Sequence, residues 1–298
     1  MKIGIDLGGS HIAIAVISEN KNIIEKFETD IVSKQNIQQF IENTIVTEVS
    51  RFCDKYDIEK IGIAVPGIVE NQKIANLFNL GIGQYDIIKK LNEFGLKNIY
   101  IKNDGVCAAI AEMKFGSLKT YDNSIFLCLG TGIGGAVCQN GEAIPSNKNL
   151  GFEFGHMQIE KQEKQICKCG KINCFEIYGS IKKLKSDLKN ELEIETCNGK
   201  LLHDEILKNK DNVNVQKIIE KYINEIVYGI SKISNIMKPQ AICLGGGFTY
   251  YSDLLFDKFV NEFSKGKFLE TTYVAPKIVV AEFKNDAGMI GAANIETA

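Results

Sequence analysis

The chain has 298 residues, 45% of them hydrophobic, so it can bury a large core and is predicted to form two domains. Its 35 basic and 37 acidic residues are intermixed and leave a net charge of −2, which excludes the basic surface that nucleic acid or an anionic membrane needs. No apolar run approaches the ~20 residues of a membrane-spanning helix. Neither a nucleic acid nor a membrane is therefore expected as a partner.

The first 120 residues alternate between strand and helix patterns. The predicted strands are 2–7, 12–17, 23–29, 60–65 and 98–102, and the predicted helices are 36–55 and 104–115. The first strands are separated by Gly8-Gly9-Ser10, which predicts a hairpin meander, and the fourth strand ends at Pro66-Gly67.

The opening pattern returns about 120 residues later. Leu7-Gly8-Gly9-Ser10 aligns without a gap with Leu129-Gly130-Thr131-Gly132, and each turn lies between two β-rich runs. This similarity predicts a duplicated domain whose paired turns face one cleft, with chance similarity of two short turns as the alternative. The later predicted elements are strands 125–129, 133–139, 241–244 and 278–281, a long amphipathic helix ending at Pro239, and a helix at 287–295.

Three glycine turns each follow a predicted strand, at Gly8-Gly9, 130–132 and 245–247. Open α/β sheets bind ligands at such positions, and glycine lets backbone N–H groups approach phosphate. The run 130–135 matches G-x-G-x-x-G, but a strand rather than a helix is predicted after it, which excludes the dinucleotide fingerprint.

Two aspartates are candidates for phosphoryl chemistry. Asp6, before the first glycine turn, is placed to hold Mg²⁺ through water or to polarise phosphate, with a turn cap as the alternative. Asp104 is the candidate general base, a role that contributes a factor of roughly 10²–10⁴ to a rate. A helix N-cap is the alternative for Asp104, and the two roles can coexist.

One histidine and three cysteines within about twenty residues predict a closed tetrahedral, structural Zn²⁺ site; they are His156, Cys167, Cys169 and Cys174. A disulfide framework is the competing interpretation. The odd total of nine cysteines and the start of the chain in a strand, without a secretory leader, indicate a reducing, cytoplasmic location. The remaining cysteines have apolar neighbours and are predicted to lie in the core: Cys53, Cys107, Cys128, Cys138, Cys197 and Cys243.

The predicted zinc site lies between acidic residues that suit a sugar. Glu153, His156 and Glu176 can each hydrogen-bond hydroxyls, and such contacts discriminate sugars far better than apolar contacts do. Zinc would fix the segment that bears them. We therefore expect loss of zinc to abolish hexose binding and to leave the glycine turns able to hold nucleotide.

Together these motifs resemble the ROK family of sugar kinases and related repressors, within the actin-like ATPase superfamily, over nearly the whole chain. The segments 6–10 and 129–135 are similar to its two phosphate motifs, and 245–247 to its nucleotide turn. Pro66-Gly67 resembles a sugar-side turn and Asn103-Asp104 the substrate and base pair. By the same resemblance His156 both ligates zinc and contacts a sugar hydroxyl.

The resemblance implies an α/β, two-domain actin-like ATPase (ribonuclease H-like) fold with duplicated mixed sheets around a central cleft. The implied domains are 1–118, completed by the C-terminal helix 287–298, and 119–286, which contains the zinc segment 156–174. The implied cofactor-binding residues are Asp6, Gly8, Gly9, Ser10, His11, Gly130, Thr131, Gly132, Gly246 and Gly247. The implied substrate-binding residues are Gly67, Asn103, Asp104, Glu153, His156 and Glu176.

The implied activity is that of an ATP-dependent kinase in which Asp104 deprotonates the 6-hydroxyl of a hexose, with ATP and Mg²⁺ as cofactors and structural Zn²⁺. Glucose is the preferred substrate, and N-acetylmannosamine, N-acetylglucosamine, fructose and allose are alternatives. Val106 and Phe152 depart from the family pattern and bear on sugar identity, while His11 replaces a frequent Lys or Asn. A homodimer is expected.

A sugar-responsive regulator is the competing class. Family repressors carry a helix-turn-helix region before the first phosphate motif, whereas five residues precede Asp6 here. We therefore expect a kinase. The presence of Asp104 also argues against a sugar sensor without turnover.

Overall fold

The computed structural model describes residues 1–31, 36–77, 80–144, 151–196, 198–266 and 274–296. These residues separate into two compact units: unit 1 comprises Met1–Asp122, Ala136–Phe152 and Asn285–Ala298, and unit 2 comprises Asn123–Gly135 and Glu153–Lys284. In the described part of the chain, no helix combines the length and apolarity that crossing a bilayer requires. The predicted domain boundaries stay a prediction, and they differ from these units in the placement of 136–152.

The first half of the chain forms strands and helices close to the predicted ones. They are β1 (Lys2–Leu7), β2 (His11–Ile17), β3 (Ile23–Asp30), α1 (Ile37–Lys55), β4 (Lys60–Val65), β5 (Ile68–Glu70), β6 (Lys73–Asn76), α2 (Ile87–Glu93), β7 (Ile99–Asn103) and α3 (Asp104–Phe115). The short β5–β6 hairpin and α2 are additions to the predicted pattern.

The second half continues the alternation. It contains β8 (Ser124–Leu129), β9 (Ile133–Gln139), β10 (Glu142–Ala143), α4 (Phe175–Gly179), α5 (Ile181–Leu192), α6 (Gly199–Lys208), α7 (Val213–Met237), β11 (Ala241–Gly245), α8 (Ser252–Ser264), β12 (Lys277–Val280) and α9 (Ala287–Ala293). Short 3₁₀-helices occur at Phe154–His156, Gly246–Tyr251 and Lys284–Asp286.

The two five-stranded sheets share one strand order. The first is β3-β2-β1-β4-β7 and the second is β10-β9-β8-β11-β12, so in each sheet the first strand lies between an antiparallel meander and two later strands. In the first sheet β1 pairs antiparallel with β2 and parallel with β4. In the second, β11 runs parallel to both β8 and β12. The duplication predicted from the paired glycine turns and the mixed sheets implied by the resemblance are therefore confirmed.

Helix α9 packs directly against the sheet of unit 1, because glycines on two strands leave room for its backbone. A Cβ at Gly4 or Gly62, on the central strands, would overlap the carbonyl of Met289 or Ala292 in α9. All seven residues of α9 are buried. The chain therefore inserts its last described helix into the core that its first strands begin.

Each unit has its own apolar core. In unit 1 the central strands pack against α1, whose buried face is Ile41, Ile45, Val49 and Phe52. In unit 2 the sheet packs against α7 and α8, with Phe175, Phe248 and Phe259 fully buried.

Five of the six cysteines predicted to lie in the core can be assessed. Cys107, Cys138 and Cys243 are buried as expected, and Cys128 is half-buried. Cys53 is exposed, so its prediction was wrong: it follows buried Phe52 on α1 and therefore lies off the apolar face of the helix. Cys197 lies outside the described residues.

Candidate functional site

The first glycine turn in unit 1 joins β1 to β2. The Gly8 N–H donates to the His11 carbonyl at 2.9 Å, and the Ile31 N–H donates to the Ser10 carbonyl at 2.8 Å. A Cβ at Gly8 would lie 3.0 Å from the His11 ring, so the residue in this position must be small. Gly9 and Ser10 are exposed at the tip.

Asp6 precedes this turn at the end of β1 and is half-buried. Its carboxylate lies against α9, where a Cβ at Gly288 would overlap Oδ2. Burial raises the pKa of Asp6 to about 6, while the positive charge of Lys26 acts in the opposite direction. Unit 1 thus holds a carboxyl group that changes charge close to neutral pH.

Gly67, Asn103 and Asp104 come together at the carboxyl end of β7. Asn103 caps α3, because its Oδ1 accepts from the backbone N–H groups of Gly105 at 3.0 Å and Val106 at 3.3 Å. Its Nδ2 donates to the Gly67 carbonyl at 3.3 Å.

The cap of α3 is therefore Asn103, whereas the sequence offered Asp104 as the alternative cap. Asp104 is the first residue of the helix and accepts the Gly105 N–H at 2.8 Å. Both side chains are half-buried. Asp104 thus lies at the N-terminus of α3.

The four predicted zinc ligands in unit 2 converge. The His156, Cys167, Cys169 and Cys174 ligand atoms all lie within 4.8 Å of one another. The Cys169 and Cys174 Sγ atoms are 3.6 Å apart, and Cys167 Sγ is 3.7 Å from His156 Nδ1. A tetrahedron with Zn–S bonds of about 2.3 Å has edges of about 3.8 Å. The donor set and its spacing therefore fit a tetrahedral metal ion.

Backbone contacts shape the cysteine loop, the name used here for residues 156–174. The Cys167 N–H donates to the Lys171 carbonyl at 2.7 Å, and the Gly170 N–H donates to the Cys167 carbonyl at 2.9 Å. Gly170 has a φ of +84° and Asn173 a φ of +54°, so both adopt the left-handed conformation, which asparagine tolerates better than most residues.

The thiols of this loop differ in acidity. Burial, together with the hydrogen bonds that its thiol donates to the neighbouring Cys169 and Cys167, raises the pKa of Cys174 to about 12. A backbone hydrogen bond from Lys171 lowers the pKa of Cys169. A bound divalent cation favours the thiolate form of Cys174, which burial alone disfavours, because metal binding deprotonates coordinating thiols.

The three predicted sugar-contact residues of this unit have different environments. Glu153 is exposed, and its Oε2 lies 3.7 Å from Nε2 of His156, whose Nδ1 faces the thiols. Glu176, in the first turn of α4, is half-buried, and its Oε2 accepts the Ile133 N–H at 2.9 Å. The structure therefore brings Glu153 next to His156 and directs Glu176 to the second glycine turn.

The second and third glycine turns line one cavity of about 540 Å³. A Cβ at Gly130 would lie 3.9 Å from the Gly247 N–H nitrogen. Gly246 has a φ of +66°, a conformation that favours glycine. The complete lining is Gly130, Thr131, Ile181, Lys182, Lys185, Ser186, Lys189 and Gly247.

Three lysines of α5 in this lining are not among the predicted cofactor-binding residues. Lys182, Lys185 and Lys189 are separated by three and four residues and so share one side of α5. The Lys182 N–H also donates to the Gly130 carbonyl at 3.1 Å, which joins α5 to the second turn. The helical spacing of the three lysines, just after the cysteine loop, is the sequence signal that could have identified them.

The chain is similar to known proteins over nearly its whole length. The sequence model of the ROK family matches residues 2–298. A glucokinase from Thermotoga maritima is 26% identical, over 98% of this chain and 96% of its own. An N-acetyl-D-glucosamine kinase from Histophilus somni is 28% identical, over 98% of each chain. The crystal structure of a ROK family glucokinase from Streptomyces griseus in complex with glucose and AMPPNP has a TM-score of 0.82, 22% identity and 98% coverage of both chains.

Proposed function

The chain belongs to the ROK family, and from that premise we propose that it is an ATP-dependent kinase that phosphorylates the 6-hydroxyl of a hexose. Glucose is the preferred candidate, because the similar proteins include glucokinases and the Streptomyces griseus structure holds glucose. N-acetylglucosamine, N-acetylmannosamine, fructose and allose are the alternative hexoses, the first supported by the Histophilus somni relative.

The observation that carries this proposal is the cavity lined by two glycine turns and three lysines in unit 2. Glycine turns offer backbone N–H groups to phosphate oxygens, and lysine ammonium groups add positive charge. We assign the donor phosphates to Gly130, Thr131, Gly132, Gly246 and Gly247. In unit 1, Asp6, Gly8, Gly9, Ser10 and His11 are the proposed cofactor-binding residues. Mg²⁺, when bound with ATP, neutralises charge on the transferred phosphoryl group.

Asp104 is the proposed general base. It accepts the proton of the 6-hydroxyl while that oxygen forms a bond to the γ-phosphorus and the bond from phosphorus to the β,γ-bridging oxygen breaks. Asn103 and Gly67, joined by their hydrogen bond, hold the segment that carries Asp104. Glu153, His156 and Glu176 are the proposed hydroxyl-binding residues.

We further propose that His156, Cys167, Cys169 and Cys174 hold structural Zn²⁺. Two thiols, Cys167 and Cys174, are buried, and a four-ligand N/S set leaves no position for catalytic water. We also propose a cytoplasmic location, as the sequence predicts. The homodimer expected from the resemblance stays a prediction.

The test is an ADP-release assay over a panel of hexoses, with Asp104→Asn beside the parent protein. We expect glucose turnover by the parent and a loss of roughly 10²–10⁴ in kcat for Asp104→Asn, because the base is removed. Glucose and AMPPNP binding should be retained. Asp122→Asn, a change at an exposed turn, is the matched control and should leave kcat unaffected.

Two results would contradict the proposal. An unchanged kcat in Asp104→Asn would reject Asp104 as the base. A folded, metal-loaded protein that turns over none of the five hexoses would reject the kinase activity.

A further inference from the structure

The Glu176 carboxylate is tied to the backbone of the second glycine turn. Its Oε2 accepts the N–H of Ile133, the residue that follows Gly132, at 2.9 Å. The same oxygen lies so close to Gly132 that a Cβ there would overlap it. The carboxylate therefore fixes the peptide plane between Gly132 and Ile133.

A second segment of the metal site also contacts Ile133. Gly155, which precedes the ligand His156, lies against the Ile133 carbonyl, and a Cβ at Gly155 would overlap that oxygen. Ile133 thus has its N–H bound by Glu176 and its carbonyl covered by Gly155. Gly155, one residue before the ligand His156, and Glu176, two residues after the ligand Cys174, therefore both contact the residue that follows the donor turn.

The connection from the metal ligands to Glu176 is short and rigid. Cys174 is the N-cap of α4, and Glu176 is in the first turn of that helix. Between them, Phe175 is fully buried, and its N–H donates to the Met157 carbonyl at 2.8 Å. Cys174 and Glu176 are therefore joined through a single buried residue at the start of one helix.

We propose that Glu176 is a positioning residue that links the metal site to the donor turn, so that metal occupancy controls nucleotide affinity. The proposal rests on the proposed function in that the turn 130–132 contacts the donor phosphates. The sequence had suggested that nucleotide binding would survive metal loss. The hydrogen bond between Glu176 and Ile133 argues against that independence.

The physical reason lies in the flexibility of glycine. Gly130 and Gly132 leave the turn with many accessible backbone conformations, and ordering them on binding costs affinity. A turn whose last peptide plane is already fixed loses less conformational entropy when phosphate binds. Removing the Glu176 carboxylate also leaves the Ile133 N–H without its acceptor.

The experiment measures AMPPNP affinity by calorimetry, with Mg²⁺ and without sugar, in the metal-loaded protein. Glu176→Ala should bind AMPPNP on the order of 10-fold more weakly, the loss typical of a hydrogen bond to a charged group. Glu176→Gln should restore most of the affinity, since its amide oxygen can accept the same N–H. Glu163→Ala, an exposed carboxylate of the cysteine loop, is the matched control and should bind AMPPNP as the parent does.

A second arm tests the link to the metal. Protein freed of the loop metal by a chelator, which is then removed, should bind AMPPNP more weakly than loaded protein. The further loss caused by Glu176→Ala should be smaller in the metal-free protein, because coupled perturbations are not additive. Hydrogen exchange at the Ile133 amide should accelerate in Glu176→Ala, and this readout also reports whether the rest of unit 2 remains folded.

The inference is overturned if Glu176→Ala binds AMPPNP as tightly as the parent does, or if metal removal weakens both proteins by the same factor. Its failure is distinct from failure of the proposed function. If the loaded parent protein binds no AMPPNP, the donor assignment itself is wrong. If the parent binds and Glu176→Ala is unaffected, only the positioning role is rejected.

Discussion

Asp6→Asn is expected to stabilise the folded protein above pH 6 while it removes a residue proposed for cofactor binding. The carboxyl group of Asp6 is half-buried against Gly288, and burial raises its pKa from 3.8 to about 6. Above pH 6 the folded state must keep a desolvated negative charge, whereas the unfolded chain ionises Asp6 in water. Asparagine has a similar shape and no charge to desolvate.

The size of the effect follows from the pKa difference. A rise of about 2 units, at 1.36 kcal/mol per unit, corresponds to roughly 3 kcal/mol. The folded state binds the Asp6 proton more tightly than the unfolded chain does. The stabilisation of the folded state by protonated Asp6 is therefore fully present below pH 3.8 and is lost as the pH rises through about 6. Relative to the parent protein, Asp6→Asn should therefore have a free energy of unfolding that is higher by about 2–3 kcal/mol at pH 8 and little changed at pH 4.

The assay is thermal unfolding of both proteins from pH 4 to pH 8, with Asp122→Asn as an exposed control. For a unit of this size, the gain at pH 8 corresponds to a rise in Tm of roughly 5–10 °C. The control should show no pH-dependent difference. The reasoning is refuted if Asp6→Asn shifts Tm equally at both ends of the pH range, or if it is less stable than the parent protein at pH 8.

Three further outcomes are expected. Gly62→Ala should lower the Tm of unit 1 by an amount equivalent to roughly 1–3 kcal/mol, because the methyl group overlaps α9, whereas Gly83→Ala adds a methyl group in open space and should not. Lys185→Gln should weaken AMPPNP binding and reduce its salt dependence, which calorimetry at two ionic strengths would show, while Lys200→Gln on α6 should not. Cys169→Ser should lower the metal content from one ion per chain, measured by elemental analysis; full retention would reject Cys169 as a ligand.

The sequence predicted those parts of the molecule that depend on local pattern. A strand, a glycine turn and a second strand occur within about fifteen residues, so the duplication was visible at Leu7 and Leu129 before the sheets confirmed it. The convergence of Cys167, Cys169 and Cys174 was likewise predicted, because ligands close in sequence can reach one ion.

Other features depend on long-range contacts that no local pattern shows. The hydrogen bond from Ile133 to Glu176 joins residues 43 positions apart. The lysines of α5 have the spacing of a solvated helix face, and only the packing of Gly247 near Ile181 shows that this face borders a cavity. The cap of α3 differs by one residue from the offered alternative, Asp104, because helix boundaries depend on backbone geometry.

The packing of α9 against the first strands of the chain also constrains the order in which the chain can fold during synthesis. Gly4 and Gly62, on strands made early, receive a helix that leaves the ribosome almost 300 residues after the first strand. Unit 2 ends at Lys284, so all its residues are translated before α9 is. A nascent chain can therefore finish its second unit while its first still exposes an apolar groove, which makes that unfilled groove a natural site for chaperone protection.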